Sequence, residues 1–517
     1  MIITEFLKKE DINQIIPEFV EEVFNIDRAR VKEQLDPIID ILKDEITCFI
    51  EYPYVDKFYR DSYYSFFSKK HTSYDRNSIR ISFFSDKLNV EEYFKFENTE
   101  IEKYFWGFIS LRPTTYSIIG HSLISPIALK SNNFVCCLVR KTVLIYGKKL
   151  SVYGFPFCSQ DNESITCSEA TIINLFDYFG NKYSEYSTIL PSQVAKVLSR
   201  QSYQRQLPAH GLPTENISYV LKKLGFGTVV YSSDLNKKAK DIYNPDEFKD
   251  LLYTYIESGI PVIATLSTNK SNHAVLVIGR EDIWEDIKYS KKGFFKAKRK
   301  QYEFSEAFNK LLVMNDNHSP YEIIDFDKPI FDSDAQSFYR FKSFIVPLYS
   351  KVHLDAYQFK QFFHIVIDSL QTDPQTKHIQ FNDINEEYIY RFFLTSSKSY
   401  KNYLSNSNSI SNEFKSITID KAMPKLVWIG EIIKGNTISL NQVVQSIIVV
   451  DATESGFTGH LIFATNSRYL IIKNSEFFNA GNEQDSLDKK YQIFDFGNEI
   501  FYTFASNLKG GHTKWRS

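Results

Sequence analysis

The feature that most constrains this chain is a polar loop that runs directly into an amphipathic helix and places a cysteine at the helix start. Residues 159–180 read S-Q-D-N-E-S-I-T-C-S-E-A-T-I-I-N-L-F-D-Y-F-G. Thr166 is a residue type that caps helix N-termini, and apolar residues then recur at helical spacing until Gly180. Cys167 is therefore predicted at the first helical position, where unpaired backbone N–H groups and the helix dipole stabilise a thiolate.

The cysteine content sets a second limit on the chemistry. A free cysteine is often only a small buried apolar residue, and this plainer interpretation applies to Cys167 as well. The chain has 517 residues and five cysteines, with no C-x-x-C spacing. The odd count in so long a chain argues against a disulfide scaffold, and the absence of C-x-x-C spacing argues against a zinc knuckle. We therefore expect a cytoplasmic protein without a metal or organic cofactor.

Charge and hydropathy narrow the range of partners. The formal net charge is -2, so no overall field attracts nucleic acid, and a nucleic-acid partner is not expected. The N-terminus becomes charged within a few residues and lacks the layout of a signal peptide. No apolar run reaches the ~18 residues that a membrane span requires. The sequence thus predicts no membrane association.

The length suggests about three domains, and the changing periodicity places them along the chain. Residues 1–149 are predicted to form an N-terminal α+β domain, in which Arg112 and His121 lie in a loop as a binding pair or as ordinary capping residues. Residues 150–348 form the central domain. Residues 349–517 are predicted to form a mixed β-rich domain that recognises a partner protein. The predicted fold class is α+β.

Two apolar strands of the central region carry polar residues at their ends. The run 272–279, N-H-A-V-L-V-I-G, is predicted to be a buried strand with His273 at its entrance. The run 311–317 reads as a strand that ends in Asn315-Asp316-Asn317. A histidine at a strand entrance can reach a cleft, and a carboxylate at the end of another strand can orient its ring and fix its tautomer.

These segments, taken in order, resemble a papain-like cysteine peptidase, most closely the bacterial branch that includes double-glycine leader peptidases. The resemblance rests on Gln160, the Cys167 helix and the segments G-I-P-V-I-A-T-L, N-H-A-V-L-V-I-G and V-M-N-D-N, and it covers neither flank. It implies a core in which the cysteine helix packs on an antiparallel sheet. It also implies that Cys167 is the nucleophile, His273 the base and Asp316 the residue that orients His273. Gln160 would stabilise the oxyanion.

The sequence departs from the pattern of that family in three places. The last segment has Asn-Asp-Asn where the family more often has Asp-Pro, so Asn315 and Asn317 are alternatives to Asp316. Asn162 is an alternative to Gln160 as the oxyanion donor. An insert at 281–310 carries a basic cluster, which we interpret as a solvated loop or helix face, with contact to a polyanion or an acidic partner as the alternative. The cluster consists of Lys288, Lys291, Lys292, Lys296, Lys298, Arg299 and Lys300.

The function predicted from these observations is a cysteine hydrolase that cleaves peptide or isopeptide bonds in a protein or peptide substrate. Two alternatives remain open. The same Cys-His-Asp triad serves an acyltransferase, which passes the acyl group to an amine. The triad can also be inactive in a papain-like binding or scaffold protein of a multi-component defence or toxin-like system.

Overall fold

The computed structural model describes residues 7–85, 88–202, 205–233, 243–283, 285–289, 301–383, 385–455, 461–473 and 490–512. Helices and strands alternate along all of these ranges, which confirms the predicted mixed α+β class. The basic cluster of the insert lies outside the described residues from Lys291 onward, and only Lys288 falls within them.

Most helices are short and amphipathic, and α6 is the exception because it is buried on nearly every side. None of the helices in the described ranges is sufficiently long and apolar to span a membrane. The helices are α1 (Lys9–Phe24), α2 (Arg28–Asp40), α3 (Lys57–Ser65), α4 (Val90–Lys95), α5 (Asn98–Ile101), α6 (Cys167–Lys182), α7 (Pro191–Leu198), α8 (Thr214–Lys223), α9 (Pro245–Glu257), α10 (Ala356–Thr372), α11 (Ser397–Asn406) and α12 (Asn412–Asp420).

The N-terminal region forms a seven-stranded antiparallel sheet in the order β1-β2-β3-β4-β5-β8-β7. The residue 149/150 boundary expected from the sequence falls inside β8, so this sheet continues to residue 157. The strands of this region are β1 (Leu7–Lys8), β2 (Ile46–Tyr54), β3 (Ser78–Ser85), β4 (Phe105–Leu111), β5 (Ser122–Ile124), β6 (Phe134–Cys136), β7 (Val139–Ile145) and β8 (Lys148–Phe157).

The central region forms a second antiparallel sheet in the order β15-β14-β11-β10-β18-β9. Apolar, β-branched runs fill β10 and β11, which suits strands covered on both faces, and α6 packs against β11 and β8. The strands are β9 (Phe226–Ser232), β10 (Val262–Ser267), β11 (Asn272–Glu281), β12 (Ile287–Lys288), β13 (Gln301–Glu303), β14 (Lys310–Met314), β15 (Glu322–Asp325), β16 (Phe331–Asp332), β17 (Ser337–Phe338) and β18 (Arg340–Tyr349).

The C-terminal region forms a third sheet in the order β13-β19-β20-β23-β24-β25-β26. Its first strand, β13, comes from the insert of the central region and pairs in parallel with β19. The remaining strands are β19 (Tyr388–Ser396), β20 (Leu426–Lys434), β21 (Thr437–Ile438), β22 (Val443–Val444), β23 (Ser446–Asp451), β24 (Leu461–Asn466), β25 (Tyr469–Lys473), β26 (Tyr491–Asp495), β27 (Phe501–Tyr502) and β28 (Lys509–Gly510).

The central sheet also takes one strand from each flank. β6 pairs with the end of β11, where Gly279 lies opposite Cys136, and β28 pairs with the other edge of β6, where Lys509 lies opposite Cys136. A Cβ atom at residue 279 would stand only 2.2 Å from the carbonyl oxygen of Val135, so this approach requires glycine. The three regions therefore exchange strands and do not form separate consecutive sheets.

A buried charge network joins the central region to the C-terminal sheet. The Glu257 carboxylate accepts from Arg280 Nε at 2.6 Å and from an Arg391 nitrogen at 2.7 Å, and Arg391 also pairs with Glu431 at 2.8 Å. Burial opposes the charge on Glu257, but the two guanidinium groups hold the pKa of this carboxyl below its ordinary value. Paired in this way, the four charges can remain inside the protein.

Candidate active site

Cys167 is the first residue of α6, in agreement with the position predicted from Thr166. The Glu169 carboxylate, one turn into the helix, accepts the Thr166 backbone N–H at 3.2 Å and also the Thr166 hydroxyl. Both hydrogen bonds run from Thr166, the residue before the helix, to Glu169, its third residue, and they fix where α6 begins. The position of the cysteine at the helix N-terminus therefore follows from local sequence.

The loop before Cys167 is held by Asp161 and Arg112. One Asp161 carboxylate oxygen accepts the backbone N–H groups of Glu163, Ser164 and Ile165 at 2.9, 2.6 and 2.9 Å. Arg112, from the N-terminal region, donates to the Ser159 carbonyl at 2.7 Å. The loop is thus braced from inside and from the neighbouring sheet. Arg112 therefore supports the candidate site indirectly, by holding the backbone of this loop.

Cys167 differs from the other cysteines in its exposure. It is partly exposed, whereas Cys48, Cys136, Cys137 and Cys158 are all buried. Burial of the sulfur, with a smaller contribution from the Asp316 carboxylate, raises the pKa of the Cys167 thiol to about 12. The backbone N–H groups of Ala274 and Ser168 lie near the sulfur and favour the thiolate, which offsets part of this increase. The resting site therefore holds a neutral thiol at pH 7.

The contact with Ala274 brings the sulfur to the entrance of β11, because Ala274 directly follows His273. His273 is the second residue of β11 and only 8% exposed. Its Nε2 lies 2.9 Å from Oδ1 of the buried Asn315, which comes directly after β14. The His273 ring from β11 thus meets the Asn315 amide from the end of β14, and the Cys167 sulfur from α6 lies near Ala274, the residue next to His273.

The partners of Asn315 decide the tautomer of His273. The Asn315 amide nitrogen donates to the Glu322 carboxylate at 2.8 Å. Since a carboxylate only accepts and an amide nitrogen only donates, the Asn315 oxygen must face His273. His273 therefore carries its proton on Nε2, and Nδ1 is the ring nitrogen able to accept a proton. The hydrogen bond to His273 is made by Asn315, one of the two alternatives to Asp316 recognised in the sequence.

Asp316 lies beside the same ring nitrogen at a greater distance. Its Oδ1 is 3.7 Å from His273 Nε2, and the side chain is 2% exposed. Neither of its oxygens has an aligned hydrogen-bond partner among the described residues, although the N–H groups of Asp316 and Gln160 lie near enough to favour the charged form. Burial prevails, and it raises the pKa of Asp316 to about 6. Asp316 thus supplies charge, and Asn315 supplies the hydrogen bond.

Gln160 and Asn162 occupy different environments in the loop. Gln160 is 8% exposed, and its amide nitrogen donates to Oδ1 of Asn317, which joins Gln160 to the polar segment after β14. One hydrogen of that NH2 group remains for another acceptor. Asn162 is exposed in the turn, with a φ of 60°. Of the two predicted oxyanion donors, Gln160 is the one that contacts the polar segment after β14, where Asp316 lies.

Two supporting residues were missed by sequence reasoning. Asp161 had a recognisable signal, because an aspartate three residues before a serine in a polar loop is typical of a side chain that caps its own turn. Glu322 gave no signal of its own. It is the first residue of β15 and reaches Asn315 only because β14 and β15 are antiparallel neighbours. Such a contact between strands follows from the fold rather than from spacing.

A second histidine cluster lies farther along α6. His121 Nε2 is 2.8 Å from Oδ2 of Asp177, and Lys141 donates to the same oxygen at 2.6 Å. Phe58 stacks on the His121 ring with centroids 4.2 Å apart. Burial and the Lys141 charge lower the pKa of His121. His121 and Arg112, considered together in the sequence, thus serve two separate places: Arg112 braces the loop, and His121 contacts α6.

Comparisons of the sequence with protein families and with curated proteins identified no relative. The functional argument therefore rests on the geometry of the candidate site.

Proposed function

We propose that the protein is a cysteine hydrolase that cleaves peptide or isopeptide bonds at Cys167. The observation that supports this most directly is that the Cys167 sulfur lies near the backbone N–H of Ala274, the neighbour of His273 and more than a hundred residues away in sequence, in a site where Asn315 fixes the His273 tautomer. The arrangement of a capped helix against an antiparallel sheet is compatible with the papain-like core implied by the sequence.

The proposed reaction begins from a neutral thiol. As the Cys167 sulfur attacks the substrate carbonyl carbon, the thiol proton passes to His273 Nδ1, and the carbonyl π electrons move onto oxygen. Asn315 holds the ring through Nε2, while the nearby Asp316 carboxylate stabilises the imidazolium that forms. The imidazolium then gives its proton to the leaving amine as the carbon–nitrogen bond breaks. An acyl group remains on the sulfur.

The second half of the cycle releases this acyl group. His273 accepts a proton from an attacking water molecule, whose oxygen bonds to the acyl carbon, and the carbon–sulfur bond then breaks to regenerate the thiol. The oxyanion formed in each half is assigned to the free amide hydrogen of Gln160 and the backbone N–H of Cys167. Donors of this kind contribute about 3–4 kcal/mol to transition-state stabilisation in comparable sites.

The experiment that tests this function is covalent labelling with a cysteine-reactive acyl probe, read by intact mass and peptide mapping. We expect labelling at Cys167 that is lost in Cys167→Ala and slowed at least 10²-fold in His273→Ala, because the imidazole removes the thiol proton. Cys136 is fully buried and serves as the internal reference. Labelling at Cys167 no faster than at Cys136, or independent of His273, would refute the hydrolase.

The raised pKa of Cys167 favours a second candidate, a binding or scaffold protein whose triad is inactive, because a thiol with a pKa of about 12 is a weak nucleophile. The labelling experiment separates the two candidates directly. If Cys167 is labelled, product analysis with and without an added amine then distinguishes hydrolysis from acyl transfer. An amide product formed at the expense of the acid would assign the transferase.

A further inference from the structure

A basic cavity lies between the N-terminal and central regions, and one of its lysines, Lys70, contacts Glu163 in the loop that precedes Cys167. Its volume is about 580 Å³, within the range of ligand sites. Four cationic side chains line it: Lys69 and Lys70 after α3, Lys196 on α7, and Arg205. Of its described lining residues, none is an aspartate or a glutamate. The cavity therefore presents concentrated positive charge on a chain whose net charge is only -2.

Most of this charge is uncompensated within the described ranges. Lys70 pairs with Glu163 at the cavity edge, whereas Lys69, Lys196 and Arg205 form no ion pair there and are exposed. Lys69 donates instead to the carbonyl of Ser65, the last residue of α3, at 2.9 Å. Cationic groups that share a concave surface repel one another, and an anionic ligand relieves that repulsion.

The cavity is connected to Cys167 by two segments of the chain. Glu163, the partner of Lys70, precedes Cys167 by four residues, a span of at most ~14 Å. The second connection is the strap, which we define as residues 205–212. The strap begins at Arg205 in the cavity wall, donates from Ala209 N to the Glu163 carbonyl at 2.7 Å, and donates from Leu212 N to Ser168 Oγ at 2.8 Å. It thus reaches the residue next to the candidate nucleophile.

We propose that this cavity binds an acidic segment of the peptide or protein substrate, an inference that rests on the proposed function. The two connections are four and seven residues long and set upper limits on the distance, so the acidic residues are expected within about seven positions of the scissile bond, since an extended chain advances about 3.3–3.6 Å per residue. Phe66 and Leu207 add apolar surface to the cavity wall, which suits a peptide with mixed side chains.

The binding test uses the Cys167→Ala protein, so that it requires no turnover. Fluorescein-labelled hexaglutamate is titrated and followed by anisotropy, with hexaserine and an oligomer of dT carrying six phosphates as comparison ligands. We expect hexaglutamate to bind more tightly than either, with an affinity that falls as salt increases. Tighter binding of the dT oligomer, or equal binding of hexaserine, would overturn the proposal.

Charge reversal locates the binding site. Lys196→Glu/Arg205→Glu is expected to weaken hexaglutamate binding at least tenfold, because two attractive charges become repulsive. The matched control is Lys222→Glu/Lys223→Glu, which makes the same charge change on exposed residues at the end of α8. We expect the control to change affinity less than twofold. Equal losses in the two variants would show only a general charge effect and would contradict the site. Circular dichroism and urea unfolding establish that each variant is folded.

A reactivity test connects the cavity with Cys167. Two cysteine-reactive peptide probes are compared, identical except for three Glu or three Ser residues placed five positions from the reactive group. We expect the Glu probe to label Cys167 about tenfold faster than the Ser probe, with the advantage lost in Lys196→Glu/Arg205→Glu. The Ser probe is measured in the same variant, so that the advantage of the Glu probe is expressed as the ratio of the two rates.

The two proposals fail in different ways. If the Ser probe labels Cys167 in a His273-dependent manner but the Glu probe has no advantage, the hydrolase stands and the acidic-substrate site is refuted. If neither probe labels Cys167 while hexaglutamate still binds, the hydrolase is refuted, and with it the assignment of the cavity to a substrate.

Discussion

Helix α6 carries two histidine clusters that are built from similar residues but differ in how their polar groups are satisfied. At its start, Cys167 is partly exposed, and the Asp316 carboxylate is buried beside His273 without an aligned hydrogen-bond partner in the described structure. Near its end, Asp177 is fully buried and accepts from both His121 and Lys141. Proximity of an acid to a histidine therefore does not distinguish a functional cluster from a structural one.

The difference lies in what each cluster leaves free. In the Asp177 cluster the carboxylate also binds Asn181 and Thr188 through its other oxygen, so its charge is fully used in holding three segments together. The Cys167 cluster instead keeps a partly exposed thiol and, buried beside His273, a carboxylate whose oxygens have no aligned hydrogen-bond partner among the described residues. A folded protein tolerates such unsatisfied groups at a cost in stability, and they are common at sites of chemistry.

The largest expected effect comes from removing each histidine in turn. We expect His273→Ala to slow acyl-probe labelling at Cys167 by 10²- to 10⁴-fold, the usual contribution of a general base. We expect His121→Ala to leave the labelling rate of the folded protein within about threefold, and to lower the free energy of unfolding by about 1–3 kcal/mol. The converse result, with labelling dependent on His121 alone, would exchange the roles of the two clusters.

Removing the shared acid of the structural cluster is expected to destabilise the fold most strongly. Asp177→Ala leaves Lys141 buried without its carboxylate, a change that costs about 3–5 kcal/mol. Urea unfolding followed by tryptophan fluorescence measures the loss, and Asp177→Asn serves as the isosteric comparison because it retains the shape without the charge. A change below about 1 kcal/mol in both variants would mean that the cluster does not hold α6 in place.

Asp316 is expected to make stability depend on pH. Its pKa of about 6 in the folded protein exceeds the ordinary value of 3.8, so the folded state binds the proton more tightly than the unfolded state. The resulting stability is fully present below about pH 4 and is lost as the pH rises to about 6. The difference between a pKa of 3.8 and one of about 6 corresponds to ~3 kcal/mol of free energy of unfolding.

The measurement for Asp316 is urea unfolding across that pH window. Between about pH 4 and pH 7, we expect the wild type to lose ~3 kcal/mol more of its free energy of unfolding than Asp316→Asn loses. Asp420→Asn, at an exposed position at the end of α12, provides the matched loss of one carboxylate. Parallel pH profiles for the wild type and Asp316→Asn would contradict the raised pKa.

The smallest expected effect concerns the orientation of His273. Asn315→Ala removes the acceptor for the Nε2 proton, and we expect labelling at Cys167 to slow about 10- to 100-fold, as for other groups that orient a functional histidine. Asn317→Ala, two residues along, serves as the neighbouring control and should change the rate only a few-fold. A larger effect at Asn317 than at Asn315 would reassign the orienting role.

Local sequence accounted for the elements of the site but not for every contact within it. The start of α6 at Cys167 followed from a threonine cap, and β11 and β14 followed from apolar runs. The choice among Asn315, Asp316 and Asn317 did not follow, because side-chain directions in the turn after β14 depend on the backbone there rather than on any repeat. The cluster of His121, Lys141 and Asp177 joins residues from three separate parts of the chain. Their spacing in the sequence does not predict that they are in contact.

The division of the chain was also only partly visible in the sequence. Apolar and turn patterns identify strands one at a time, but they do not tell which sheet a strand joins. β13 lies within the predicted central region and belongs to the third sheet, while β6 lies in the predicted N-terminal region and belongs to the central one. The exchange of strands among the regions is a property of long-range pairing.

The pairing of β28 with β6 has a consequence for how the protein is made on the ribosome. Lys509 and Cys136 face each other across this pair, so β6 is synthesised long before its outer neighbour exists. At about 5–20 residues per second, the wait is on the order of 20–75 s. Throughout that interval the backbone of β6 offers an open edge to any other nascent strand, and a chaperone that shields it would be expected to raise the yield of native protein.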